Sequence, residues 1–278
     1  MFARYFPNHL TVRQGDTAVF RQAWNGEAHT VTFAAAIDTI GKPVWAYLDK
    51  DQQAPQDVQN STDQAAFNAI PFMVDQNNHV QQNGAQPCYL DSGAPPTDPN
   101  TPCPKRAQPA FTGRQAWYSS GFIPYQGTDR DNTFRVPIAS NAAPGTYHFI
   151  CLFHGPGMNG TLTVLAKGAA IPSQADVNAK AQAQIDQFAR PLVGAFNNAK
   201  KGHYPVKINA PYKFVFAGYG SPAEQDVHGY GSVSEFLPKK IDIKVGDTLR
   251  WLVVPTSTTW RFAPPAISPS SASLRMAR

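Results

Sequence analysis

A chain that alternates apolar and polar residues over 146–151, breaks at Gly155-Pro-Gly157 and alternates again over 160–165 is committed to two neighbouring β-strands. The loop between them is chemically loaded. Cys151, His154 and Met158 fall within eight residues in the spacing Cys-x2-His-x3-Met. Upstream, Leu10 and Val12, then Val19 and Phe20, flank the turn signal Gln14-Gly15-Asp16, and the run His29-Thr-Val-Thr-Phe33 alternates again. A strand is expected at 133–136, just before the turn Ala143-Pro-Gly145. One helix stands out. It opens at Ser173 with Asp176 three residues later, a capping-box pattern, and runs toward Arg190-Pro191. Alternation resumes over 212–216 and 240–245.

The strand-rich parts repeat. Phe6-Pro7-x-x-Leu10-Thr-Val12-x-x-Gly15-Asp16-Thr17 is matched by Phe236-Leu-Pro238-x-x-Ile241-Asp-Ile243-x-x-Gly246-Asp247-Thr248, with a constant offset from the proline onward. In both copies the glycine can supply a positive φ and the aspartate can accept from its own backbone, so the same turn is expected twice.

These patterns organise the 278 residues as 1–167, 168–203 and 204–278. The first region holds the loaded loop and a polar, proline-rich insertion over about 41–130; the second is a helical linker; the third is a second, shortened copy. That copy has no ligand set of its own, because His29 maps onto Trp260 and no cysteine follows Cys151. Strand alternation stops near Pro255 and Met1 lies close to the first strand, so the expectation is a chain cut from a longer protein, or one that leaves its ancestral reading frame there.

Composition excludes whole classes. Lys and Arg number 24 against 19 Asp and Glu, a net charge of +5, yet no basic run tracks a phosphate backbone, so nucleic acid is not an expected partner. No apolar stretch approaches the ~20 residues of a membrane span, and no secretory signal opens the chain. Cys88 and Cys103 sit in one loop rich in Pro, Gly, Asp and Thr. They form a disulfide if the compartment is oxidising, or remain two surface thiols.

The loaded loop narrows the chemistry. Thiolate and thioether beside imidazole select copper over hard cations, and two imidazoles, one thiolate and a weak axial thioether make the electron-transfer copper set. His29, directly after the turn-forming Asn25-Gly26, can supply the second imidazole. His148 alternates away from Cys151 and is expected on the opposite face of its strand; His9, His79, His203 and His228 lie in loops without partners at ligand spacing and are expected at the surface, while Trp24, Trp45, Trp117 and Phe122 are expected to pack or anchor loops.

Together, Leu10-Thr-Val-x-x-Gly-Asp-Thr17, His29-Thr-Val-Thr-Phe33, Pro144-Gly-Thr-Tyr-x-Phe-x-Cys151 and the loop closing into Gly160-Thr-Leu-Thr-Val164 resemble the plastocyanin-like cupredoxins, small blue-copper proteins. The resemblance covers about 1–40 and 133–166, with a partial second copy at 236–252. It implies an all-β Greek-key sandwich with a long loop insertion, and one type 1 copper held equatorially by His29, Cys151 and His154 and axially by Met158. It also implies a one-electron carrier outside the cytoplasm that passes electrons to a redox partner protein through a partly exposed His154. Its departure from the family is the long span between His29 and Cys151. Two other roles use cupredoxin units, a subunit of a copper oxidoreductase and a copper storage or delivery protein. The first is disfavoured: the chain has no His-x-His pair for a trinuclear centre, and Ile150, not a histidine, precedes Cys151.

Overall fold

The computed structural model describes residues 2–23, 27, 29–69, 109–121, 123, 133–201, 213–220, 228–238, 240–252 and 273–274. In chain order the elements are β1 (Phe2–Arg4), β2 (His9–Arg13), β3 (Thr17–Arg21), β4 (Thr32–Phe33), α1 (Ala35–Leu48) and α2 (Gln56–Phe67). There follow β5 (Tyr118–Ser119), β6 (Thr133–Pro137), β7 (Gly145–Cys151), β8 (Gly155–Leu165) and α3 (Gln174–Lys200). β9 (Lys213–Gly220), β10 (Gly229–Leu237), β11 (Leu249–Leu252) and β12 (Ser273–Leu274) complete the set. The described protein is mostly sheet with few helices.

Two compact units emerge. Described residues within Arg4–Gln182 and Val227–Gly229 make the larger one; those within Met1–Ala3, Ala183–Asp226 and Tyr230–Arg278 make the smaller. In the larger unit a five-stranded sheet runs β2-β8-β7-β4-β5, parallel between β2 and β8 and antiparallel elsewhere, and β3 pairs antiparallel with β6. Period-two burial is plain in β6, where Phe134 and Val136 are buried and Arg135 is exposed, and in β8, where Leu162 and Val164 are buried. At the end of β7 the alternation fails: Phe149, Ile150 and Cys151 are all buried. The reason is that α1 lies against β7 and closes the face that would otherwise meet water.

α2 and the second part of α1, from Gly41 onward, fall where a polar, irregular insertion was expected. The apolar stripe of α1 is Ile37, Val44, Trp45 and Leu48, with Gly41 among them, and a Cβ at Gly41 would collide with the Trp45 ring. The buried face of α2 is polar, made of Gln59, Thr62 and Asp63 with Ala66. The segment 109–121 also contributes to the core, because Phe111, Trp117 and Tyr118 are buried and β5 pairs with β4. Trp45 is likewise a packing residue, as expected, and Trp24 and Phe122 lie outside the described residues.

α3 begins as the sequence requires: Ser173 N–H donates to Asp176 Oδ2 at 3.1 Å, and Asp176 N–H donates back to Ser173 Oγ at 3.2 Å. It does not stop at Pro191 but continues to Lys200. The smaller unit carries a sheet in the order β1-β10-β9-β11-β12, with β11 parallel to β9. The strand expected over 240–245 is irregular chain instead.

The repeated turn is nonetheless realised in both copies. Gly15 and Gly246 take φ of 89° and 94°, Asp16 Oδ2 accepts from Arg13 N–H at 2.9 Å, and Asp247 Oδ2 accepts from Lys244 N–H at 2.8 Å. Among the described residues no helix is long and apolar enough to cross a membrane.

Candidate metal centre

β7 delivers Cys151 and β8 returns at Gly155, with His154 in the tight connection between them. Cys151 pairs with Gly155 while Ile150 pairs with Asn159, so residues 156–158 are surplus and bulge from the ladder level with the thiol. Gly155 turns this corner at φ 58°, and a Cβ there would come within 2.5 Å of Asp63 Oδ1 on α2. Helix α2 therefore presses directly on the start of the bulge.

His29 precedes β4, the neighbour of β7 on the flank away from β8. Its N–H donates to Ile123 O at 2.9 Å and its carbonyl accepts from Ile123 N–H at 2.8 Å, which sets its backbone. Thr30 ties this segment to the loop. Its N–H points at Cys151 Sγ, 3.3 Å away, and its hydroxyl accepts from Leu152 N–H at 2.9 Å. A buried hydroxyl ladder continues from Thr30 to Thr32 and Ser119 at 3.0 and 2.9 Å.

These constraints bring three donors into one triangle. His29 Nδ1 and His154 Nδ1 are 3.2 Å apart, and Cys151 Sγ lies 3.3 Å from His154 Nδ1 and 3.9 Å from His29 Nδ1. The triangle fits one ion. Metal–nitrogen bonds of about 2.0 Å and a metal–sulfur bond of about 2.3 Å in a trigonal plane would set N···N at about 3.5 Å and N···S at about 3.7 Å. The three residues are the ones among those described that could hold a metal ion. Met158 lies at the end of the bulge and is buried.

Electrostatics favour the deprotonated thiol. Burial raises the Cys151 thiol, but the neighbouring imidazoles, His154 foremost, outweigh it and carry it well below its ordinary value. Burial likewise lowers His154, yet the thiolate and then Glu27 push it up to about 9. Glu27 Oε1 sits 3.6 Å from His154 Nε2. Burial would raise the Glu27 carboxyl, and the neighbouring His154 brings it below its ordinary value. A carboxylate behind an imidazole orients the ring for a metal.

Two expectations need correction. His154 is 6% exposed, not partly exposed, because the bulge and the His29 segment enclose it; His29 is the half-buried member. Nor are all the other histidines plain surface. His148 stacks on Trp45, with ring centroids 4.2 Å apart, and bonds Asp49 at 2.8 Å, fastening α1 to the sheet. His228 is buried against Asn159 and Asp51, and the exposed His9 bonds Thr161 at 2.7 Å. Cys88, Cys103, His79 and His203 lie outside the described residues. Glu27 and Thr30 carry no ligand spacing of their own in the sequence, and standing within two residues of His29 is the one local signal they offer.

No protein-family profile matches the chain, and no curated protein does. Among solved structures, a crystal structure of Na-dithionite-reduced auracyanin from the photosynthetic bacterium Roseiflexus castenholzii is 18% identical. The match covers 59% of this chain and 88% of that one at a TM-score of 0.27. Superposition that loose leaves the case for a metal to the donor triangle itself.

Proposed function

We propose that the chain is a cupredoxin, a type 1 copper protein that carries one electron at a time. The observation that carries the reading is the triangle of His29 Nδ1, Cys151 Sγ and His154 Nδ1, three donors of the type 1 set already within 3.2–3.9 Å of one another. Met158, from the bulge in β8, is the proposed axial ligand. When bound, copper supplies the one-electron couple. The chain's own residues do the rest: Thr30 N–H stabilises charge on the Cys151 sulfur, Glu27 orients the His154 ring, and the closure of α1 and α2 over β7 and β8 limits water.

The same reading completes the architecture. The β2-β8-β7-β4-β5 sheet and the β3–β6 pair form the Greek-key sandwich, and the chain from about 204 onward is a second cupredoxin-like copy without copper ligands. An extracytoplasmic location and a redox partner protein follow from the family resemblance alone.

The test is an absorption spectrum of the purified protein on adding Cu(II), before and after reduction, with Cys151→Ser and Met158→Leu beside it. An intense thiolate-to-copper band that bleaches on reduction, vanishes in Cys151→Ser and only shifts in Met158→Leu is the expected result. Folded protein that binds copper without that band is not a type 1 site.

A further inference from the structure

We propose that His228 is a positioning residue for the metal loop, pinning Asn159, and through it the 156–158 bulge, to Asp51 at the end of α1. The proposal rests on reading 151–158 as the metal loop. Asn159 directly follows Met158 and is buried. Its Nδ2 donates to Pro156 O at 2.8 Å, which spans the bulge and leaves Oδ1 as the acceptor facing His228. His228 Nδ1 donates to that oxygen at 2.7 Å, and its Nε2 meets Asp51 Oδ1 at 2.7 Å.

The ring is held on its face as well as at both nitrogens. His228 is 6% exposed, and the His9 ring stands edge-on to it with centroids 5.6 Å apart. His9 is itself bonded through Nδ1 to Thr161 Oγ1, at the paired position on β8. Asp51 is presented by a backbone at φ 55°, in the left-handed region that aspartate tolerates better than most residues, where the chain turns from α1 toward α2.

The segments joined here are distant in sequence. His228 is 69 residues from Asn159 and 177 from Asp51, and it comes from the chain beyond α3, yet it belongs to the larger unit. The chain beyond α3 thus contributes a side chain to the support of a site otherwise built by residues between His29 and Asn159. Its bond also leads the causes that hold the Asp51 carboxyl below its ordinary value.

The experiment uses the full chain and the variants His228→Ala and Asp51→Asn. Backbone amide exchange is followed in the metal-free protein, and dissociation constants and ligand-field spectra are measured with cobalt(II). The expected result is at least tenfold faster exchange confined to 156–160, and cobalt(II) held about tenfold more weakly with an altered spectrum, the scale on which groups behind metal ligands act. Asp51→Asn moves both in the same direction by less, and adds nothing when combined with His228→Ala. Exchange and affinity within twofold of the parent in folded variants overturn the proposal, as does faster exchange with an unchanged spectrum and affinity. If His228→Ala fails to fold, Asp51→Asn, whose side chain is largely exposed, decides alone. If the parent chain takes neither cobalt(II) nor copper, the metal reading fails while the exchange arm still judges the pin.

Discussion

If the donor triangle takes a metal as proposed, loading should displace a proton from His154. In the metal-free protein the Cys151 thiol lies well below its ordinary value, while His154, lowered by burial but raised more by the thiolate, keeps its proton up to about 9. The protonated ring carries a hydrogen on each nitrogen, and the one on Nδ1, 3.3 Å from the sulfur, occupies the atom that would hold a metal. With the thiol held well below its ordinary value and His154 pushed up to about 9, the expectation between pH 7 and 8.5 is the loss of one proton, from His154. The apparent dissociation constant should therefore rise tenfold for each pH unit lost, about 30-fold over that interval, or about 2 kcal/mol at about 1.36 kcal/mol per unit. Above about 9 the dependence should flatten. Zinc(II) titrations by calorimetry in buffers of different ionisation enthalpy count the protons directly. Glu27→Gln removes the carboxylate 3.6 Å from Nε2 and should move the break to lower pH. A slope of zero across pH 7–8.5 would mean His154 is already neutral, and a slope of two would mean the thiol is not ionised; either refutes the coupling between Cys151 and His154.

Three further outcomes follow from the packing. Gly41→Ala adds a Cβ into the Trp45 ring, which has His148 stacked against it; the helix-propensity gain of about 1 kcal/mol is outweighed by overpacking of about 1–3 kcal/mol, read as a lower denaturation midpoint. Burial lowers His148, but bonds from Asp38 and Asp49 raise it above its ordinary value, so its contribution is present in full below about pH 6.5 and fades as pH rises through the folded value. Denaturation curves from pH 5.5 to 8.5 should show that loss, and His148→Gln should remove it. Ser173→Ala breaks the capping box of α3 and should cost about 1 kcal/mol, with faster amide exchange in the first turn as the local sign.

The parts of the fold legible in the sequence are those governed by local chemistry. The Gly-Asp turns at 15–16 and 246–247, the capping box at Ser173 and the strands flanking the metal loop each depend on neighbouring residues, and each is present. Helix α1 was obscured by Gly41 and Pro43, which read as breakers although the first makes room for Trp45 and the second is carried within the helix. Helix α2 left no apolar stripe to find, since Gln59, Thr62 and Asp63 form its buried face. At the site, Cys151 and His154 announce themselves by spacing and His29 by its strand. His228 carries no such mark, because what gives it a role is Asn159, 69 residues away.

Cys151 is fully buried and His154 nearly so, which leaves His29 as the half-exposed corner of the triangle. An ion from solvent must pass that corner, and the sulfur is reached only when the surrounding chain parts. Loading and loss are then governed by the frequency of local opening rather than by diffusion. Residence of the bound ion should track the breathing of the protein, so that whatever loosens the His29 segment shortens it even when the donors themselves are unchanged.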